Sequence, residues 1–124
     1  MKMLLIALTM LSVSASVQVD TITTSEFSEF LELGDVIFEQ AYLERGDVQI
    51  GKVVQATNLG NVDLCVISKL SQQRNVKNEF LYSGRMIIPA GLTLPLGGFT
   101  QINPRKSWYT KWQHAVSKNL RRCK

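Results

Sequence analysis

Short segments of alternating apolar residues, separated by turn residues, are the feature that most constrains the fold of this chain. Residues 48–56 place every second side chain on one face of an extended strand. Residues 62–70 form an apolar run that is rich in β-branched residues and has the length of a central strand. Strands at this spacing predict an all-β fold, either a sandwich or a barrel. The alternating face of the first segment consists of Val48, Ile50, Val54 and Ala56, interrupted by Lys52.

Turn residues divide the alternating segments from one another. Residues 58–61 and 89–91 are turns by composition. In the tripeptide Arg45-Gly46-Asp47, the glycine can supply the positive φ of a hairpin turn. We therefore expect a hairpin whose tip lies at Gly46.

The segments after residue 70 alternate less regularly and contain glycine and proline. Residues 71–78 are polar and predict a loop, and residues 80–88 predict a strand with a bulge at Gly84. The leucines of residues 92–96 alternate, and Pro95 among them predicts an edge position or a bulge.

Two segments fit a helix as well as a strand. Residues 25–33 place phenylalanine and leucine side chains at helical spacing behind a serine, which predicts one short N-terminal helix. Residues 104–120 fit either an amphipathic helix or a strand with alternating aromatic residues. The strand, running through Val116, is favoured because a sandwich needs a further partner strand.

The first 16 residues are predicted to be a cleaved signal peptide. Lys2 precedes an uncharged apolar run over residues 3–13, and small residues follow at 14–16. The run is shorter than the roughly 18 to 20 residues of a membrane-spanning helix, which predicts a periplasmic or secreted protein without a membrane anchor. The chain then divides into the signal peptide 1–16, an N-terminal extension 17–34, a sandwich 35–116 and a basic tail 117–124.

Two cysteines, Cys65 and Cys123, complete the prediction of an exported domain. An oxidising compartment favours a disulfide between them. The alternative is a buried thiol at Cys65, within an apolar run, and a free thiol at Cys123, next to the chain end.

The charges divide along the chain. From Val17 to Val66 nine acidic residues face two basic ones, a net charge of −7, and from Ile67 to Lys124 one acidic residue faces eleven basic ones, a net charge of +10. One interpretation is a basic face that attracts an acidic partner, and the other is that the charges simply keep the domain in solution.

The sequence has no pattern typical of catalysis or cofactor binding. His114 is the only histidine, so a serine–histidine–aspartate triad would have to be built around it. No CxxC or HExxH spacing provides a zinc ligand set, and no glycine-rich phosphate loop occurs. The basic C-terminal stretch with its tryptophans fits single-stranded nucleic acid, but export argues against that partner. We therefore expect neither an enzyme nor a metal or cofactor site.

Two stretches carry a resemblance to a known family. The first contains Val36-Ile37-Phe38, Arg45-Gly46-Asp47-Val48, Ile50, Val53 and Asp63-Leu64-Cys65-Val66. The second contains Tyr82-Ser83-Gly84, Ile88-Pro89-Ala90-Gly91-Leu92, Leu96-Gly97-Gly98 and Ile102-Asn103-Pro104. Together they cover roughly residues 35–116 and resemble the small periplasmic accessory protein of curli assembly. The resemblance implies an immunoglobulin-like β-sandwich and a chaperone role that keeps the amyloid-forming fibre subunit soluble in the periplasm.

The chain departs from that family in three places. Asp63 stands at the first position of a Cys-X-Cys pair that some members carry, so a redox role that depends on both cysteines does not transfer. The last strand of the family has no counterpart after Val116. Residues 17–34 have no counterpart either, and they could fill the vacant edge of the sheet.

A protein partner is therefore expected, bound through basic residues in or beside the strands of the second half. The candidates are Lys69, Arg74, Lys77, Arg85 and Lys111. The competing hypotheses are an immunoglobulin-like adaptor of another envelope machine, such as a pilus or secretion complex, and a small inhibitor that inserts residues 72–78 into an envelope hydrolase.

Overall fold

Nine strands and two short 3-10 turns make up residues 21–124, the part of the chain that this computed structural model describes. The predicted signal peptide, residues 1–16, lies outside the described residues. The 3-10 turns are Leu81–Gly84 and Leu120–Cys123. The strands are β1 Ile22–Thr24, β2 Ser28–Leu33, β3 Val36–Arg45, β4 Val48–Asn58, β5 Leu64–Arg74, β6 Val76–Asn78, β7 Arg85–Ile88, β8 Thr93–Gln101 and β9 Tyr109–Ser117.

The strands form two antiparallel sheets that pack as a sandwich, which confirms the predicted all-β class. The six-stranded sheet has the order β1–β3–β4–β8–β6, with β2 also paired to β3, so that β1 and β2 share one edge of β3. The three-stranded sheet has the order β9–β5–β7. The β3–β4 hairpin turns at Gly46, whose φ is +62°, as the sequence predicts.

The core lies between the sheets, where every second side chain of each long strand points inward. Phe38 of β3 is fully buried, and Phe30 of β2 packs on it with ring centroids 6.2 Å apart. Trp112 of β9 stands edge-on to Phe30 at 6.0 Å, so aromatic rings connect the two sheets. The other buried residues of this core are Val36, Val54, Ala56, Leu64, Val66, Ile88 and Leu96.

The helix predicted for residues 25–33 is wrong, because β2 occupies Ser28–Leu33. The pairing of β2 with β3 shifts register between Glu29 and Leu31. This bulge lets the adjacent side chains of Phe30 and Leu31 both pack against the core. The spacing of these side chains therefore resembles a helical pattern. The segment is nevertheless a strand, because the edge of β3 provides hydrogen-bond partners for it.

Two further segments differ from their predicted structure. The polar residues 71–78 are not a loop, because β5 continues to Arg74 and β6 begins at Val76. Between them, Asn75 has a φ of +61°, and there the chain turns from one sheet to the other. Residues 80–88 form a strand only from Arg85 onward. Ahead of it, Leu81–Gly84 is a tight turn in which three successive residues have positive φ.

The C-terminal strand and the bulge at Pro95 are confirmed. Tyr109–Ser117 forms β9, in which Trp112 and Val116 pack on the core while Lys111 and Gln113 are exposed. The pairing of β8 with β4 shifts register between Pro95 and Gly97. Proline has no N–H to donate to a neighbouring strand, and a bulge interrupts the ladder where that hydrogen bond would be needed.

Candidate functional site

The outer face of the three-stranded sheet brings together four of the five predicted partner-binding residues. On β5, Leu64 and Val66 point into the core, so Cys65, Ile67 and Lys69 point outward. The register pairs Arg85 of β7 with Ile67, and cross-strand partners share a face of the sheet, so Arg85 also points outward. The register also pairs Tyr109 with Arg74 and Lys111 with Gln72. We call this surface the basic face and define it by Lys69, Arg74, Arg85 and Lys111.

Lys77, the fifth predicted residue, is not part of the basic face. It lies on β6, at the edge of the six-stranded sheet, and pairs with Thr100 of β8. The chain changes sheets at Asn75, so Lys77 is close to Arg74 in sequence but belongs to the opposite layer.

No acidic residue lies in the three strands of the small sheet or in residues 118–124, which carry eight basic residues. The segment from β1 to β4 has the opposite composition, with seven acidic residues against Arg45 and Lys52. The acidic residues of the first half therefore lie mainly on the six-stranded sheet, and the basic residues of β5, β7, β9 and the C-terminal segment lie on the three-stranded sheet. A surface of one charge sign attracts partners of the other sign over about one Debye length, roughly 8 Å at physiological ionic strength.

A disulfide between Cys65 and Cys123 joins the C-terminal segment to the outer face of β5. The bridge confirms the predicted pairing. The side chain of Cys65 is fully buried and Ile67 is nearly so, although both lie on the outer face. The 3-10 turn Leu120–Cys123 contacts β5 and β7 and covers this part of the sheet. The basic tail is thus a structured part of the domain.

Beside the bridge, Lys69, Arg85 and Arg122 line one hollow of about 380 Å³. Ile67 and Ala115 also line it and provide apolar surface. The Nη1 of Arg85 donates to the carbonyl oxygen of Arg122 at 3.3 Å, which connects β7 to the C-terminal segment. Three cations from three different elements therefore surround one concave site.

The far end of the basic face has a second basic group. The guanidinium of Arg74 lies 5.8 Å from the ring centroid of Tyr109, within cation–π range. Arg74 and Lys106 line a hollow of about 640 Å³ together with Asn75 and Ser107. The Nδ2 of Asn75 holds the neighbouring loop by donating to the carbonyl oxygens of Asn103 at 2.9 Å and Lys106 at 2.8 Å.

His114, the only histidine, is half-buried beside the core, and it also lines the hollow of Lys69, Arg85 and Arg122. Its Nδ1 lies 3.1 Å from the Oγ of Ser68, and its ring stacks on Trp112 and packs against Phe38. Burial lowers the pKa of the imidazole, because the charged form loses its hydration. Ser68 has no exposed surface, so its hydroxyl is out of reach of a substrate. The contacts of this pair are those of a packed core.

Lys52, which interrupts the apolar face of β4, also points between the sheets. Its Nζ lies 5.3 Å from the ring centroid of Tyr42 and 5.9 Å from that of Trp112. Burial lowers the pKa of this amine. The two rings accommodate the charge at the margin of the core.

Residues 21–124 contain no group of three or more metal-ligating side chains that could hold an ion. Within the same residues, no helix has the length and hydropathy required to cross a membrane.

Sequence reasoning missed Arg122, because the composition of residues 117–124 predicts only a basic tail. The predicted disulfide contained the missing signal, since a bridge from Cys123 to Cys65 necessarily returns Arg122 to β5. Comparisons with protein-family models, curated proteins and solved structures find no match for the chain.

Proposed function

We propose that the protein is an exported chaperone that binds amyloidogenic curli-type fibre subunits and suppresses premature fibre formation without catalysis. The observation that carries this proposal is the basic face, on which four strand residues of one charge sign share a surface with no acidic residue in its three strands. The resemblance of residues 35–116 to the accessory protein of curli assembly supplies the class of partner. An acidic, unfolded subunit is complementary to such a surface.

The mechanism follows from how fibres begin. Amyloid chains assemble by pairing the edges of extended segments, and the first assemblies are rare. A folded domain that attracts an acidic segment to its basic face keeps that segment from pairing with another copy. Because few early species exist, we expect an amount of chaperone well below one equivalent to delay fibre growth.

The test is a fibrillation assay with purified mature protein and a curli-type subunit, followed by thioflavin fluorescence. We expect a longer lag at substoichiometric protein. Added salt should shorten the lag again, because the Debye length falls from about 10 Å at 0.1 M to about 3 Å at 1 M. A series without chaperone at each salt concentration corrects for the effect of salt on the subunit itself.

Two matched double variants distinguish the effect of the basic face on the lag from the effect of net charge. Lys69→Glu with Lys111→Glu reverses two charges of the basic face, whereas Arg45→Glu with Lys77→Glu makes the same change in net charge on the six-stranded sheet. We expect the first pair to abolish most of the delay and the second to preserve most of it. An unchanged lag at equimolar wild-type protein, with the fold verified, would exclude the proposed function and favour an envelope adaptor.

A further inference from the structure

The hollow beside the disulfide has a composition that suits one kind of ligand. Arg122 comes from the C-terminal segment, Arg85 from β7 and Lys69 from β5. A guanidinium presents its donors in a planar fork that matches a carboxylate in two parallel hydrogen bonds, and an ammonium adds a compact charge. Ile67 and Ala115 add apolar surface to the lining, and Gln113 and His114 complete it.

We propose that this hollow is a binding site for the side-chain carboxylates of an acidic protein segment, and that the Cys65–Cys123 bridge assembles it by holding Arg122 beside Arg85 and Lys69. The identification of the segment as part of a fibre subunit rests on the proposed function. The site itself rests on the three cations, the concave shape and the bridge.

The bridge is what places Arg122. The C-terminal segment contacts β5 and β7, and its local hydrogen bonds run within residues 117–124, as from the backbone N–H of Arg121 to the Oδ1 of Asn119 at 3.1 Å. The bond from Arg85 to the carbonyl oxygen of Arg122 is a single exposed contact at 3.3 Å. One such contact contributes little by itself, so the covalent link is the main restraint on the position of this segment.

Shape distinguishes a protein partner from a membrane. The hollow holds about 380 Å³, which accommodates one or two side chains. It is recessed between the sheet and the C-terminal segment, whereas lipid headgroups present their phosphates in one plane. A side chain that projects from an extended segment reaches such a site more easily than a bilayer surface does.

The chain offers a matched pair of arginines for the test. Arg121 and Arg122 are adjacent and both exposed, but only Arg122 is among the residues that line the hollow. Arg121→Gln and Arg122→Gln change the net charge equally, and both preserve the disulfide and the backbone carbonyl that Arg85 contacts. A difference between them therefore reports a local contact and not the summed field of the protein.

The probe is an eight-residue peptide with four glutamates, titrated into the mature protein while amide chemical shifts are followed by NMR. A peptide with glutamine at the same four positions is the neutral control. We expect the acidic peptide to shift the amides of Ile67, Arg85 and Ala115. Arg122→Gln should weaken its binding about five- to tenfold and Arg121→Gln less than twofold. Equal effects of the two substitutions, or shifts confined to other residues, would overturn the proposal.

The bridge is tested in the double variant Cys65→Ala with Cys123→Ala. If it folds, it should bind the acidic peptide as weakly as Arg122→Gln, and wild-type affinity would overturn the role of the bridge. If it does not fold, the comparison of Arg122→Gln with Arg121→Gln in the bridged protein still tests the site. Vesicles of phosphatidylglycerol and phosphatidylcholine at a ratio of 1:3 form a separate arm. Binding to these vesicles without binding to the peptide would assign the hollow to a membrane and overturn the protein partner.

The two proposals can fail independently. Peptide binding at the hollow without any delay of fibrillation would remove the proposed function and leave the carboxylate site. A delay that persists unchanged in Arg122→Gln, without peptide binding, would remove the carboxylate site and leave the proposed function.

Discussion

The six-stranded sheet is held together by hydrogen-bonded ladders, whereas the three-stranded sheet combines one long ladder, β5–β9, one short ladder, β5–β7, and a covalent bridge. In the large sheet, β3 and β4 are 10 and 11 residues long and pair from Val36 opposite Asn58 to Arg45 opposite Val48. In the small sheet, β7 has four residues and pairs with only Leu64 to Ile67 of β5. The disulfide lies at this shorter ladder, where β5 carries Cys65.

The difference shows how a small sheet can carry a charged face and still bury its apolar residues. Ile67 and Cys65 lie on the same outer face as Lys69. Long basic side chains cover such a strip only in part, because their charged ends remain in water. The C-terminal segment covers the strip and adds Arg122 to the hollow beside Lys69 and Arg85. The same segment thus serves both stability and the proposed binding site.

The largest effect is expected from removal of the bridge. Cys65→Ala with Cys123→Ala should lower the free energy of unfolding by about 4 kcal/mol, since the bridge closes a loop of 58 residues. Urea unfolding measures the loss, and hydrogen exchange locates it. The amides of β5, β7 and β9 should lose protection before those of β3 and β4. Equal loss in both sheets would show that the bridge stabilises the whole sandwich and not the small sheet in particular.

A smaller effect is expected at the residue that joins the two sheets. Asn58 ends β4, is fully buried, and its Nδ2 donates to the carbonyl oxygens of Val62 at 2.8 Å and Ile88 at 3.0 Å. Asn58→Ala leaves both acceptors without this donor and should cost about 3 kcal/mol in urea unfolding. Asn61→Ala, in the exposed part of the same turn, is the control and should change stability by less than about 0.5 kcal/mol. Similar losses in the two variants would contradict this role of Asn58.

A pair of glycines compares the sheets directly. Gly46, in the β3–β4 hairpin, has a φ of +62° and open space where a Cβ would stand, so Gly46→Ala should cost about 1 kcal/mol of backbone strain. Gly84, ahead of β7, has a φ of +82°, and a Cβ there would lie 2.6 Å from the carbonyl oxygen of Ser68. Gly84→Ala should therefore cost about 2 kcal/mol, with the excess due to the clash. Thermal unfolding measures both, and a larger loss at Gly46 would contradict the close approach at the small sheet.

The smallest effect concerns pH. Burial lowers the pKa of His114 in the folded protein below its unfolded value of 6.5, so the unfolded chain binds more protons between those two values. Stability should therefore decline as the pH falls from about 6.5 through the lowered pKa, and this contribution should level off below it. Urea midpoints between about pH 7 and pH 5 measure the slope. His114→Gln should flatten it, and an equal slope in that variant would assign the effect to other groups.

Some of the fold could be predicted because local chemistry decides it. Alternation in β4 and the β-branched run in β5 specify strands whatever their partners are. Gly46 and the residues at 58–61 specify turns because they tolerate the required backbone angles. The disulfide was one of two alternatives that the sequence left open, and the predicted signal peptide favoured it over two free thiols.

The rest was decided by partners that are distant in sequence. Phe30 and Leu31 resemble a helical pattern until the edge of β3 makes residues 28–33 a bulged strand. No local pattern distinguishes the basic residues from one another in the sequence. The turn at Asn75 places Lys77 on the other sheet, away from the basic face. The bridge brings Arg122 to the hollow that Lys69 and Arg85 line. The sequence by itself determined which segments are extended and which charges exist. Only the tertiary structure decided which of those charges share a face, because strand pairing and the disulfide join residues that no local pattern connects.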